Sequence, residues 1–298
     1  MKIALVDSGL GLLAAAAATR RLRPDADLVI SADPDGMPWG PRTPHDVTAH
    51  ALACARAAAE HRPDAVIIAC NTASVHALDA LRAELEPDVP VVGTVPAIKP
   101  AALGGGPVAI WATPATTGSS YQQGLIRDFA AGVEVTEVAC PGLADAVERA
   151  DEAAIDEAVA VAASRTPDDV RAVVLGCTHY ELLEERIAAA VRRPGGPEVR
   201  LHGSADAVAG QALRRIGAGA GEGSGSLTVV LSGRPAQLPA VALAYPEARL
   251  LVPALAQGAG RARGAGAHPQ AGPAARSDRS EPARVPADPG ARIAQGQQ

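Results

Sequence analysis

Two of the four cysteines stand at matching places in a repeated pattern, and a pair of thiols so placed is suited to proton transfer at carbon. Cys70 follows the apolar run Ala65–Ala69, and Cys177 follows the run Ala172–Leu175 and one glycine. Each run reads as a buried strand, and each cysteine comes just before a helical stretch. The distance from the opening strand of each half to its cysteine is nearly the same, which indicates an internal duplication.

A cysteine between a strand and a helix lies where open α/β sheets bind their ligands, beyond the carboxyl ends of the strands. The N-terminus of the following helix favours a thiolate, since thiol pKa values of about 8.5 fall to roughly 3.5–7.5 in such places. If the two halves face each other, Cys70 and Cys177 approach one cleft from opposite sides. One thiolate then removes a Cα proton and the other thiol delivers a proton to the opposite face, which inverts the carbon.

The elements that must position these thiols alternate along the chain as short apolar runs and helical stretches. The pattern predicts an α/β fold of two pseudo-symmetric parallel-sheet lobes, with the active site in the cleft between them. In the first lobe the pattern predicts a single helix over Ser74–Leu85. Towards the C-terminus it predicts short strands at Leu227–Leu231 and Arg249–Val252. The expected divisions are a first lobe over 1–97, a second lobe over 98–216, a linker and strand/helix segment packing back on the core over 217–256, and a disordered Gly/Pro/Ala/Arg tail over 257–298.

Composition excludes several classes of protein. The net charge of −6 argues against a nucleic-acid partner, and no apolar run approaches the roughly 18 residues of a membrane span. Only two basic residues are lysines, Lys2 and Lys99, and nothing around them resembles the phosphate cradle of a pyridoxal enzyme. No P-loop is present, and Gly9-Leu10-Gly11 lacks the third glycine of a dinucleotide motif. With scattered cysteines and no secretory signal before the first strand, we expect a cytoplasmic protein with free thiols.

The remaining cysteines have a simpler interpretation. Cys54 lies in an alanine-rich helix, and Cys140 precedes a proline with no polar cluster after it, so both are expected to be small buried hydrophobes. A zinc site from Cys70, Cys177 and His179 is an open alternative with little support, because no second pair of ligands accompanies them.

The motifs resemble those of glutamate racemases, in the cofactor-independent aspartate/glutamate racemase superfamily, from residue 3 to roughly residue 206. The segments that carry the resemblance are Val6-Asp7-Ser8-Gly9, Asp33 with Pro38-Trp39-Gly40, Ala69-Cys70-Asn71-Thr72-Ala73-Ser74, Ala112-Thr113-Pro114-Ala115-Thr116 with Tyr121, Cys140-Pro141 followed by Glu148, and Gly176-Cys177-Thr178-His179-Tyr180. The pairing of CNTAS with GCTHY favours the glutamate branch over aspartate racemases.

The resemblance implies that Cys70 takes the Cα proton of D-glutamate and Cys177 that of L-glutamate. Asp7 would assist Cys70, and His179 would assist Cys177. The residues that the resemblance implies in substrate binding are Asp7, Ser8, Trp39, Gly40, Asn71, Thr72, Thr113, Thr116, Glu148, Thr178 and His179. It further implies no cofactor and no metal, a product used in peptidoglycan synthesis, and a homodimer.

Three residues depart from the family pattern. Leu12 stands in place of a glycine after the first strand, Trp39 in place of a tyrosine, and Glu181 where proline is usual. Other functions stay open at this point. The chain could act on aspartate or a hydantoin, bind an amino acid without turnover, or serve mainly in contact with another protein.

Overall fold

Ten β-strands form two sheets in the part of the chain that the computed structural model describes, residues 1–219 and 221–252. In chain order the strands are β1 (Lys2–Asp7), β2 (Asp27–Ala32), β3 (Ala65–Ile68), β4 (Val91–Gly93), β5 (Val108–Ala112), β6 (Val135–Ala139), β7 (Ala172–Leu175), β8 (Arg200–His202), β9 (Leu227–Leu231) and β10 (Arg234–Ala236). The first sheet has the order β10-β9-β2-β1-β3-β4, and the second has the order β6-β5-β7-β8.

The two sheets repeat one topology, which confirms the predicted duplication. In each half the first strand pairs in parallel with the second and third, and the third pairs with the fourth. Cys70 and Cys177 therefore follow equivalent strands, β3 and β7. The first sheet is longer only because the C-terminal strands β9 and β10 are added beside β2.

Helices connect the strands and cover both sheets. They are α1 (Leu12–Leu22), α2 (Pro44–Ala59), α3 (Asn71–His76), α4 (Leu78–Leu85), α5 (Ile98–Leu103), α6 (Ser120–Phe129), α7 (Leu143–Arg149), α8 (Glu152–Ser164), α9 (Glu184–Val191), α10 (Ala205–Arg215) and α11 (Pro246–Leu251), with 3-10 helices at Thr178–Leu183 and Ala240–Ala244. Several begin at a residue whose side chain accepts a backbone N–H. Thr43 accepts from Asp46, and Asp151 accepts from Ala154.

The core explains why the strands are continuous apolar runs. Strands β3, β5 and β7 are buried along their whole length because both faces of each sheet are covered. One cluster of buried side chains contains Leu5 and Ile67 from the first sheet and Trp111 and Leu175 from the second. The two sheets thus share a core, and alanine-rich α1 lies within it.

Several local predictions were wrong. Arg249–Val252 lies largely in helix α11, because Pro246 occupies its first turn and Ala248 and Leu251 are buried at helical spacing. The helix predicted over Ser74–Leu85 is two helices, α3 and α4, separated at Ala77. The sequence pattern also missed α5, β8 and the antiparallel strand β10.

The C-terminal segment returns to the first sheet. Strand β9 pairs in parallel with β2, and the Ser226 hydroxyl donates to the Asp27 carboxylate at 2.6 Å. Helix α10 packs against α1, β3 and β4.

The expected lobe limits at residues 97 and 216 stay a prediction, and the tail over 257–298 lies outside the described residues. Among residues 1–219 and 221–252, every helix is too short or too polar to cross a bilayer.

Candidate active site

A cavity of about 320 Å³ lies where the carboxyl ends of the strands of both halves meet. Both cysteines that follow equivalent strands, Cys70 and Cys177, line it. Every other residue expected to bind substrate also lines it, with the exception of Asp7. These are Ser8, Trp39, Gly40, Asn71, Thr72, Thr113, Thr116, Glu148, Thr178 and His179.

Cys70 is held on the side of the cavity formed by the first sheet. Its thiol interacts with the carboxylate of Asp7, the last residue of β1, and both side chains are buried. Burial and the adjacent Asp7 carboxylate raise the pKa of the Cys70 thiol well above its ordinary value. Cys70 therefore rests as a thiol, the form that delivers a proton.

Asp7 lies behind Cys70 and has no exposed surface. Burial raises its pKa from 3.8 to about 6, an effect that nearby His179 and the interaction with Cys70 offset only in part. Its Oδ1 accepts from the Ser8 N–H at 2.6 Å, whereas Oδ2 has no hydrogen-bond partner among the described residues. Asp7 is therefore placed to exchange a proton with Cys70 and does not reach the cavity surface.

Cys177 belongs to a chain of polar groups on the opposite side. His179 Nδ1 lies 3.7 Å from Cys177 Sγ, and His179 Nε2 donates to Glu148 Oε1 at 2.5 Å. The same Glu148 oxygen accepts from the Leu10 N–H at 2.5 Å. Burial alone would lower the pKa of His179, but its hydrogen bonds to Cys177 and Glu148 raise that pKa well above the ordinary value. A protonated imidazole beside Sγ stabilises the negative charge of a thiolate.

Gly9 and Gly11 allow this chain of groups to come close to the first sheet. A Cβ atom on Gly9 would overlap Glu148 Oε1. A Cβ atom on Gly11 would overlap Thr178 Oγ1 and would lie 2.6 Å from Asp7 Oδ2 and 2.7 Å from His179 Nδ1. The weak glycine motif of the sequence thus gives room to catalytic side chains from both halves.

Leu12, which departs from the family pattern, does not crowd this turn. It is the first residue of α1 and is buried in the core that the two sheets share.

The loop that follows β2 covers one side of the cavity with Trp39 and Gly40. Trp39 Nε1 donates to Asp33 Oδ2 at 3.1 Å, and His50 Nδ1 lies 2.7 Å from the same oxygen. The other Asp33 oxygen accepts from the Ser232 hydroxyl in the β9–β10 turn at 3.2 Å. Asp33 therefore fixes the position of this loop by joining Trp39 to the β9–β10 turn.

The remaining polar groups lie at strand ends on both sides of the cavity. Asn71 Nδ2 donates to the Gly176 carbonyl at 3.0 Å, which joins the two cysteine-bearing segments, while Asn71 Oδ1 has no partner among the described residues. The hydroxyls of Thr113 and Thr116 lie 3.2 Å apart after β5. These groups can donate to carboxylates or accept from an ammonium group.

Among the lining residues outside the expected set, Asp145 on α7 and Cys140 after β6 are the two with ionisable side chains. Cys140 is buried, its Sγ contacts the Val138 carbonyl at 3.5 Å, and burial raises its pKa to about 12, so the expected inert character is consistent with its surroundings. The position of Cys140 at the end of strand β6 is the sequence signal that could have placed it at the cavity.

The zinc alternative finds no support. In residues 1–219 and 221–252, no three His, Cys, Asp or Glu side chains are grouped so that they could hold a metal ion.

Comparison with known proteins places the chain among racemases. Residues 11–212 match the Asp/Glu/Hydantoin racemase family. The glutamate racemase of Roseiflexus sp. is 41% identical over 195 residues, which are 63% of this chain and 70% of that protein. The glutamate racemase of Vibrio campbellii is 40% identical over 215 residues, 70% of this chain and 77% of that protein.

The fold is similar to that of solved glutamate racemases. The Escherichia coli enzyme, crystallised with L-glutamate and the activator UDP-MurNAc-Ala, superimposes with a TM-score of 0.68 at 28% identity. That match covers 86% of this chain and 94% of the Escherichia coli chain. The Thermus thermophilus enzyme, crystallised with β-chloro-D-alanine, gives a TM-score of 0.60 at 29% identity, over 84% of this chain and 92% of that one.

Proposed function

The chain belongs to the Asp/Glu/Hydantoin racemase family, and from that membership we propose that it is a glutamate racemase that interconverts L- and D-glutamate without a cofactor. The observation that carries this proposal is the pair of cysteines at equivalent strand ends of a duplicated fold, both lining one cavity. Such a pair supplies one base and one acid on opposite faces of a bound amino acid.

In the direction from L- to D-glutamate, Cys177 Sγ accepts the Cα proton. The protonated His179, held by Glu148, stabilises the thiolate that starts this step. The Cys70 thiol then donates its proton to the opposite face of the carbanion-like carbon, and Asp7 stands beside it to restore that proton. The reverse direction uses the same groups with acid and base exchanged. Each tenfold gain in rate requires about 1.4 kcal/mol of transition-state stabilisation.

The substrate's two carboxylates meet mainly neutral hydrogen-bond donors. In the described part of the chain, no arginine or lysine lines the cavity. The hydroxyls of Ser8, Thr72, Thr113, Thr116 and Thr178 therefore hold the two carboxylates, together with backbone N–H groups. The unpaired Asn71 Oδ1 and the Glu148 carboxylate serve the ammonium group. Trp39 and Gly40 close the loop over the bound amino acid and exclude water.

The finer assignments follow from the family. We propose that the protein acts in the cytoplasm, that D-glutamate serves peptidoglycan synthesis, and that two copies form a homodimer. Size-exclusion chromatography with light scattering measures the number of copies directly.

The test of the activity is proton exchange in D₂O. Purified protein is incubated with L-glutamate without cofactor, and the Cα proton is followed by NMR together with optical rotation. We expect both signals to decay at the same time. Cys70→Ser and Cys177→Ser should each lower the rate by roughly 10²- to 10⁴-fold, because one proton-transfer group is lost. Cys54→Ser removes a thiol in α2, outside the cavity lining, and should keep the wild-type rate.

Other outcomes assign other functions. Exchange on aspartate with none on glutamate would move the substrate to the aspartate branch. Binding of glutamate without exchange, unchanged in both cysteine variants, would identify an amino-acid-binding module and contradict the proposed activity.

A further inference from the structure

A buried carboxylate lies just behind the cavity, four residues after Cys177. Glu181 belongs to the 3-10 helix that also carries Thr178 and His179, and only 9% of its surface is exposed. Its Oε1 accepts from the Ser204 N–H at 2.9 Å and from the Ser204 hydroxyl at 2.6 Å. Its Oε2 accepts from the Ala205 N–H at 3.0 Å. Glu181 does not line the cavity, so it does not touch the substrate.

These three donors belong to the N-terminus of α10. The Ser204 side chain makes no capping hydrogen bond to its own helix, and its hydroxyl donates to Glu181. A negative charge at this end is favoured by the helix dipole. Gly203 gives the room for this arrangement, since a Cβ atom there would lie 2.7 Å from Glu181 Oε2. The carboxylate thus provides the cap that α10 does not supply locally.

Helix α10 packs on the first half of the molecule, against α1, β3 and β4. Strand β3 leads directly to Cys70. Glu181 therefore connects the segment that carries the Cys177 side of the site to a helix seated behind the Cys70 strand. Thr178, Glu181 and Ser204 also lie around one narrow crevice with Gly11 and Ala69, behind the catalytic groups.

We propose that Glu181 is a positioning residue that holds Cys177 and His179 at the working distance from the opposite thiol. This role rests on the racemase function proposed above. Removing the carboxylate frees the 3-10 helix from α10, so the Cys177 side of the cavity loses its support while the Cys70 side keeps its own. A misplacement of about 1 Å lowers a rate by up to roughly 100-fold.

The two directions of a racemase must lose the same factor in kcat/KM, since the equilibrium constant is one. Rates alone therefore do not locate a defect, but isotope effects do. Deuterium at Cα of L-glutamate is transferred to Cys177, and deuterium at Cα of D-glutamate is transferred to Cys70. If Glu181 supports only the Cys177 side, its loss makes proton transfer to Cys177 more rate-limiting.

The experiment compares Glu181→Gln with wild type in the full chain. We expect kcat/KM to fall roughly 10- to 100-fold. We expect the deuterium isotope effect on kcat/KM to increase for L-[2-²H]glutamate and to decrease for D-[2-²H]glutamate. Glu185→Gln removes an exposed carboxylate of α9 and should leave both isotope effects at their wild-type values. If Glu181→Gln does not fold, Ser204→Ala removes only the hydroxyl donor and should move the isotope effects in the same directions by a smaller amount.

The outcomes separate the two levels of inference. Suppose that the wild type is active and that the ratio of the two isotope effects is the same in the Glu181→Gln protein as in wild type. That result, or the same result in Ser204→Ala where that variant replaces it, would overturn the positioning role alone. Absence of exchange in the wild type would overturn the proposed racemase function, and the role of Glu181 in it.

Discussion

Gly11→Ala tests whether close approach of the two halves controls the rate. Gly11 has helical backbone angles, φ −57° and ψ −27°, so an alanine meets no backbone strain. In a helical conformation this change ordinarily stabilises a protein by about 0.5–1 kcal/mol. Here the added Cβ would overlap Thr178 Oγ1 and would lie 2.6 Å from Asp7 Oδ2 and 2.7 Å from His179 Nδ1. Ordinary van der Waals contact begins at 3.4 Å, so the Asp7 and His179 atoms must retreat by about 0.7–0.8 Å.

A displacement of that size in the catalytic groups predicts a fall of kcat by roughly 10- to 100-fold, or about 1.4–2.7 kcal/mol in activation free energy. The rate is measured by the optical rotation of L-glutamate, and folding is checked by thermal unfolding. Gly124→Ala, in α6, is the matched control because its Cβ would approach only Arg127, at 3.7 Å. A Gly11→Ala protein that folds and keeps the wild-type kcat would refute the reasoning.

Three further perturbations address the charges and the loop. Burial raises the pKa of Asp7 from 3.8 to about 6. The folded state therefore binds this proton more tightly than the unfolded chain, and its stability falls as the pH rises through that interval. Asp7→Asn should be more stable than wild type by on the order of 3 kcal/mol at pH 8, with the gain lost at about pH 3, in denaturant titrations. Glu148→Gln removes the carboxylate that raises the pKa of His179, so NMR titration of the ring should give a lower pKa; an unchanged value contradicts the pairing. Trp39→Phe removes the hydrogen bond to Asp33 and should raise KM about fivefold with little change in kcat, whereas an unaltered KM would show that this bond does not hold the loop.

The general fold could be predicted from the sequence because its signals are local and repeated. Continuous apolar runs such as Ala172–Leu175 indicate strands buried on both faces, and the matching cysteines reveal the duplication. Elements held by distant partners could not be predicted in this way. Helix α11 packs on α1, which lies far earlier in the chain. Strand β10 is three residues long and is defined by its pairing with the neighbouring strand β9.

The candidate site was predicted as a set of residues, and its connections were not. That His179 contacts both Cys177 and Glu148 depends on α7, whose position the sequence pattern does not specify. The role of Glu181 is another example, since its three donors lie more than 20 residues further along the chain. Asp7 could be identified as a site residue from its motif, but its complete burial follows only from the packing of both halves around it.

The pairing of β2 with β9 has a consequence for the order in which the molecule is completed. Val29 and Ile30 lie beside Thr228 and Val229, so the inner strand β2 has an unpaired edge until nearly the whole described chain has been synthesised. An exposed apolar edge is a site for association with other chains. The edge of the N-terminal sheet therefore stays open until β9 has been synthesised. The last strand to join this sheet beside β2 comes from the C-terminal part of the described chain.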